Sequence, residues 1–288
     1  PQVLSGDLEV GKVTEAMGAF AIIFRSLNFI VDQFPSLTAF AASVERLSSL
    51  KVYLDHPKVV LEQKILERPT INTIKQNNLA IKNLTLQTPN YQRTLIKNLS
   101  VNLPTGEGLL ITGTSGCGKS SLLRAIAGLW DSGSGAIYRP NLSQMLFLPQ
   151  KPYMILGTLH SQLIYPHDNL EISEDRLNHA LEKVNLGDLA ERSGGFYVEK
   201  DWDEILSLGE QQRLAFARIL INKPRYVVLD EATSALDIKN EAILYQYLLD
   251  SNTTFISVGH RPSLIQYHRW VLEMQPGEKW QLQASKIS

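Results

Sequence analysis

A lysine behind a glycine-rich turn can hold phosphate, and such a turn stands at Gly113-Thr-Ser-Gly116-Cys-Gly118-Lys119-Ser120. It fits the pattern G-x-x-x-x-G-K-[ST], with an apolar run before it and a helical pattern after it. The glycines let the backbone curl, so that the N–H groups of Thr114, Ser115, Gly116, Cys117 and their neighbours converge on a phosphate. A helix starting near Ser120 and Ser121 would add its positive end. Lys119 would reach the outer phosphates as a point charge, and the Ser120 hydroxyl suits Mg²⁺. Cys117 reads as a small spacer, or as a redox-sensitive thiol at a helix start. Two further groups have spacing that fits the same chemistry. Tyr226-Val-Val-Leu-Asp230-Glu231 is an apolar run ending in two carboxylates. Asp230 is placed to bind Mg²⁺, and Glu231 to polarise an attacking water. Taken alone, the pair also reads as a solvated acidic turn. Ser207 and Gly209, at the head of a helical pattern, make a second anion-binding helix end, or simply an ordinary cap.

These groups need a scaffold that brings them together. Leu109–Thr112, Tyr226–Leu229 and Thr254–Val258 read as buried strands, each followed by a turn and a helical pattern. That alternation predicts a parallel sheet wrapped by helices, with ligands at the carboxyl ends of the strands. The stretch 151–206 reads as mostly helical and holds no phosphate motif. In the first fifty residues Val13, Met17, Phe20, Phe24, Leu27, Val31 and Phe34 recur at alternating spacings of four and three, a helix with one strongly apolar face. Arg25, Asp32 and Pro35 interrupt it. The segment suits either an amphipathic helix packed on the main domain or a helix of a larger membrane bundle with its charges in a polar cavity. Residues 51–69 read as a charged linker.

The 288 residues carry 28 Lys and Arg against 29 Asp and Glu, a net charge of −1. That balance argues against a nucleic-acid binder. A single cysteine excludes an internal disulfide and favours a reducing setting. No histidine pair or second cysteine supports a transition-metal site. The chain starts at Pro1, which predicts a processed or truncated beginning.

Leu206-Ser-Leu-Gly-Glu-Gln-Gln-Arg213 resembles the signature of the ATP-binding cassette (ABC) family, which follows LSGGQ, with Leu208 in place of the first glycine and Glu210 in place of the glutamine. The resemblance extends to Gln150 as the Q-loop glutamine and Mg²⁺ ligand. It makes Asp237 a D-loop residue facing a partner subunit, and His260 the switch histidine on the γ-phosphate. It makes Tyr91 the aromatic that stacks on adenine, although exposed tyrosines before turns are common. The resemblance implies an α/β P-loop NTPase cassette with a mostly parallel sheet core, an antiparallel β subdomain and a helical subdomain. It implies ATP and Mg²⁺ as ligands. It also implies a head-to-tail dimer in which Ser207, Gly209 and Glu210 face the nucleotide of the other subunit.

Gly6–Gly11, Ala19-Phe20 and Ala39–Leu47 resemble the end of an exporter's membrane domain. Gly116–Ser121, Gly128–Trp130, Leu148–Tyr153 and Ile256–Arg261 resemble the half-transporters that include peroxisomal fatty-acyl exporters and bacterial peptide or cobalamin relatives. The expected layout is therefore a mainly helical membrane-domain remnant over residues 1–50, a linker over 51–69 and a cassette over 70–288. The expected setting is a membrane, the bacterial inner membrane, with the cassette on its cytoplasmic side. The expected partner is a second copy or a related half-transporter. The competing class is a soluble ABC ATPase.

Overall fold

The computed structural model describes residues 10–55 and 68–285. The chain divides into two units, 1–67 and 68–288, and each is described by itself. In the first, helix α1 spans Val10–Asp55 and carries Pro35 inside it. The proline therefore does not end the helix, and α1 runs on into the stretch read as linker. Residues 56–67, with His56-Pro57, lie outside the described residues, as do Gly6–Glu9. Met17, Phe20, Ile22, Ile23, Phe24 and Leu27 of α1 are exposed. Their numbering puts them on more than one face of the helix. Val13, Val31, Asp32 and Phe34, part of the predicted apolar stripe and its polar break, have side chains outside the description. Among the described residues no helix is long and apolar enough to cross a membrane.

The second unit is an α/β fold built on two sheets. The strands are β1 (Asn72–Lys75), β2 (Leu79–Gln87), β3 (Thr94–Leu103), β4 (Gly108–Gly113), β5 (Gly133–Arg139), β6 (Met145–Leu148), β7 (Gly157–Thr158), β8 (Glu199–Lys200), β9 (Tyr226–Asp230), β10 (Thr254–Val258), β11 (Trp270–Met274) and β12 (Trp280–Ala284). The helices are α2 (Lys119–Ala127), α3 (Leu159–Ile164), α4 (Glu174–Lys183), α5 (Leu189–Ser193), α6 (Trp202–Ile205), α7 (Leu208–Asn222) and α8 (Ile238–Asp250). The central sheet has the order β12-β11-β4-β10-β9-β6, parallel throughout except for the edge strand β12. A smaller sheet, β1-β5-β2-β3, is antiparallel apart from the β1–β5 pair. The stretch 151–206, expected to be mostly helical, holds the short helices α3 to α6 and the β7–β8 ladder, but less than half of it is helix, because Tyr165-Pro166 closes α3 and Gly194 closes α5.

The apolar runs of the central strands follow from burial on both faces. Successive side chains alternate, so Leu110, Val227, Leu229, Phe255 and Leu148 pack with the helical subdomain. Leu109, Ile111, Val228, Ile256 and Val258 pack with α2 and the antiparallel sheet. Fully burying each such side chain contributes about 1.5–3 kcal/mol, so the sheet is held rigidly from both sides. That rigidity is what can hold loops at its edge in register.

Candidate functional site

Four of the predicted groups leave one edge of the sheet side by side. Strand β10 pairs with β4 and with β9, and β9 pairs with β6. All four run the same way, so their carboxyl ends deliver Gly113, Val258, Asp230 and Leu148 to one rim. Gly113–Ser120 follows β4, His260 follows β10, Glu231 follows β9, and Gln150 follows β6.

The glycine-rich turn is held by close packing. Gly113 sits at φ +142°, and a Cβ there would lie 2.2 Å from the carbonyl oxygen of Met274 on β11. Gly118, at φ +102°, opens α2, and a Cβ there would lie 3.1 Å from Leu95 at the start of β3. Neither position admits a side chain at low cost. Thr114, Ser115 and Gly116 are exposed, while Cys117 is buried in the core. Burial favours the spacer reading of Cys117 over a reactive thiol. Lys119 is buried, and its Nζ donates to the carbonyls of Gly113 at 2.8 Å and Thr114 at 3.0 Å. Its ammonium thus lies folded over the turn that a phosphate would enter. Ser121, one residue on, is half-buried on α2. A depression of about 800 Å³ opens beside the turn, lined by Thr112, Ser115, His260, Met274 and Lys279 among others. A larger one, about 860 Å³, lies between α4, α7 and α8 and contains none of the predicted site residues.

The carboxylates occupy two different environments. Ser120 Oγ donates to Asp230 Oδ1 at 3.1 Å, joining the turn to β9. Burial pushes the Asp230 carboxyl above its usual range, and the adjacent Glu231 charge adds to this. The Ser120 bond, Arg124 and Lys119 offset only part of the effect. A half-buried carboxylate beside a hydroxyl, with its charge incompletely compensated, is the oxygen donor set that a hard cation completes. Mg²⁺ keeps several waters and phosphate oxygens, so it needs no larger protein cage. Among the described residues no group of three or more His, Cys, Asp or Glu is placed to hold a metal ion.

Glu231 adopts φ +51°, the left-handed region, which costs a non-glycine residue roughly 1–2 kcal/mol. The turn is held by Glu231 N–H donating to Val258 O at 3.1 Å and by Ser234 N–H donating to Glu231 O at 3.0 Å. Its carboxylate then lies 3.2 Å from His260 Nε2. Strain of this kind persists where surrounding structure over-determines it.

The helix start predicted at Ser207 is a complete capping box. Ser207 Oγ accepts from Glu210 N–H at 3.4 Å, and Glu210 Oε2 accepts from Ser207 N–H at 2.9 Å. Among the described residues no hydrogen bond joins Ser207, Gly209 or Glu210 to the glycine-rich turn. Gly209 instead approaches the Ala235 carbonyl, where a Cβ would come within 3.2 Å. Asp237 caps α8, accepting from Asn240 N–H at 2.8 Å, and that bond holds its carboxyl below the usual range. Gln150 is exposed, and its backbone carbonyl is anchored. Tyr91 sits in the β2–β3 turn at φ +59°, its hydroxyl donating to Pro69 O at 3.2 Å. Arg68 covers one face of the ring, at 5.0 Å from the centroid. The strand that follows places Leu95 against Gly118, so this turn lies just upstream of the glycine-rich turn's packing partner.

Two residues escaped the sequence reading. Gln212 is buried on α7, and its amide makes three contacts: Nε2 donates to Gln150 O at 2.8 Å and Ser234 Oγ at 3.2 Å, and Oε1 accepts from Ala235 N–H at 2.9 Å. Arg261 donates to Leu236 O at 3.0 Å, to Ser234 O at 3.1 Å and to Glu241 Oε2 at 2.9 Å. Together they tie the loops after β6, β9 and β10 to one another. Nothing in their spacing signals this, because the partners are distant in sequence.

The ABC transporter family model matches residues 96–234. An uncharacterized ABC transporter ATP-binding protein of Synechocystis is 51% identical over 98% of this chain and 43% of its own length. The ABC transporter D family member 2, chloroplastic, of Arabidopsis thaliana is 36% identical over 96% of this chain and 48% of its own length. The chain therefore spans less than half the length of these relatives. A solved bacterial Atm1-family ABC exporter with ATP bound superposes with a TM-score of 0.63 at 23% identity, over 77% of this chain and 41% of that one, a likeness of fold.

Proposed function

This chain carries an ATP-binding cassette of the ABC transporter family, and we propose that it is the ATP-hydrolysing motor of an exporter-type half-transporter. The observation that carries the reading is the shared rim of β6, β9, β10 and β4, where Ser120 meets Asp230 and Glu231 meets His260.

In this reading ATP lies on the glycine-rich turn, with Tyr91 against the adenine. The N–H groups from Gly113 to Ser121 cradle the phosphates, and Lys119 leaves its two carbonyls to meet the outer oxygens. Ser120, Asp230 and Gln150 would hold Mg²⁺, partly through water. Bound there, the ion supplies positive charge to the β- and γ-phosphate oxygens. Glu231 orients the attacking water and accepts its proton. His260 holds the γ-phosphate and is kept facing Glu231 by their contact. Charge developing on the γ-phosphate oxygens is met by Lys119 and the turn's N–H groups, which are preorganised by packing. No covalent intermediate is required.

The opposing helix end, Ser207 and Gly209 with Glu210, comes from a second cassette, with Asp237 at the seam. The partner is a second copy or a related half-transporter. Residues 1–50 are the end of a membrane domain, 51–69 the linker and 70–288 the motor. The exposed apolar side chains of α1 support that assignment. The setting is a membrane, the bacterial inner membrane, with the cassette on its cytoplasmic side. Glu231→Gln tests the core of this reading. It should bind ATP with near-normal affinity, lower phosphate release by about 100-fold or more, and run as a dimer on gel filtration with ATP. Wild-type-like phosphate release from a species that stays monomeric would sink it.

A further inference from the structure

We infer that Arg192 is a positioning residue for the phosphate-facing end of α7, required because a glutamate stands at position 210. The inference rests on the reading above, in which that helix end meets the nucleotide of a second cassette.

Glu210 uses both carboxylate oxygens. Oε2 accepts from Ser207 N–H at 2.9 Å and from Ser207 Oγ–H at 2.7 Å. Oε1 accepts from Arg192 Nη2 on α5. Arg192 is itself steered by Asp188, with Nε 3.3 Å from Oδ2. One carboxylate therefore joins Arg192 to the hydroxyl of Ser207. The Glu210 side chain is 19% exposed and that of Arg192 40%, so the pair is only partly screened by water. Burial favours the neutral acid, but the Ser207 bonds and Arg192 outweigh it and hold the Glu210 carboxyl below its usual range.

The consequence is electrostatic. A helix N-terminus attracts anions through its free N–H groups and its dipole. A carboxylate in the first turn satisfies that end when the helix stands alone, but repels an incoming polyphosphate. A neutral amide at this position would not. Arg192, which the Glu210 carboxylate shares with Asp188, offsets part of that charge and engages the oxygen that Ser207 does not use. Without Arg192, the same capping box would present an uncompensated negative charge to the phosphate. The need for Arg192 must therefore depend on Glu210, which a purely structural role for α5 would not predict.

Steady-state ATP hydrolysis by the whole chain tests this in the wild type, Arg192→Gln, Arg192→Lys, Glu210→Gln and the Arg192→Gln/Glu210→Gln double variant, with melting temperatures recorded alongside. Arg192→Gln should lower kcat/KM for ATP by roughly tenfold, the size of one charge-assisted hydrogen bond. Arg192→Lys should keep most of the activity. In the Glu210→Gln background, the same Arg192→Gln change should cost less than about twofold. An equal loss in both backgrounds, or no loss in either, overturns the inference. If Arg192→Gln fails to fold, Arg192→Met, which also removes the charge but keeps an unbranched stem, makes the same comparison in the two backgrounds. Ser207→Arg separates the two readings. Wild-type hydrolysis by that variant overturns the shared site itself. An inactive Ser207→Arg with background-independent Arg192 losses overturns only the role of Arg192.

Discussion

Asp230 shows how a single side chain of the proposed site can cost the nucleotide-free fold stability. Its proton affinity is raised in the fold chiefly by burial. A carboxyl with a raised folded pKa binds its proton more tightly folded than unfolded, so its ionised form opposes folding at neutral pH. Asp230→Asn should therefore raise the melting temperature of the nucleotide-free chain while abolishing Mg²⁺-dependent hydrolysis. Calorimetry without nucleotide, with and without Mg²⁺, checks it. An unchanged or lower melting point would mean that Lys119, Arg124 and Ser120 already satisfy the charge. The residue types at Asp230, Glu231, Lys119 and Ser120 were legible as chemistry because each combines an unusual side chain with a fixed place after a strand. The left-handed backbone of Glu231 was not, because it is held partly by a bond to Val258 on β10, a strand farther along the chain.

At the scale of elements, helix α7 is a rod whose first turn faces outward and whose interior holds the loops. Gln212 occupies a core position with an amide, which is costly unless every hydrogen bond is made. Here both ends of the amide are used, on two different loops. Gln212→Met conserves volume but leaves Gln150 O and Ala235 N–H without their partner. It should lower stability by roughly 1–3 kcal/mol and hydrolysis by about tenfold, with nucleotide affinity nearly unchanged. Equilibrium unfolding, fluorescent-nucleotide titration and turnover measure the three. Full turnover with reduced stability would confine Gln212 to packing. Farther along the same helix, buried Arg218 donates to Gln162 O at 2.8 Å and Tyr153 O at 2.9 Å, fastening α7 to the segment after Gln150. The periodicity of α7 was readable from its apolar residues, but what its polar core residues grip was not.

Across the whole molecule, stability carries a pH signature from His268. This residue is buried where α8, β10 and the turn after β10 meet. It stacks edge-on to Tyr245 and Phe255. Its Nδ1 lies 2.7 Å from Leu264 O and its Nε2 2.8 Å from Ser257 Oγ, so the neutral ring donates at Nδ1 and accepts at Nε2. Burial pushes its pKa down from 6.5 to about 4, with the Leu264 bond opposing only in part. Between those values the unfolded chain binds the proton and the folded chain does not, so stability falls as pH drops from 6.5 to about 4. The loss from this group amounts to a few kcal/mol, about 1.4 per pH unit. Urea unfolding at stepped pH should show that slope, and His268→Gln should flatten it. An unchanged slope in the variant would assign the acid sensitivity to other groups.

By itself the sequence proposed which residues could touch a triphosphate and predicted the strands that carry them. Both follow from short-range facts: glycines where the backbone must curl, apolar runs for strands buried on two faces, and an oxygen cap before a helix. Tertiary structure alone decided the strand order that sets four loops on one rim, and the reach of Gln212 and Arg261 between those loops. It alone decided the placement of Arg192 against Glu210. Each depends on pairing between segments far apart in the chain, and no local pattern records which distant partner a buried polar side chain will find.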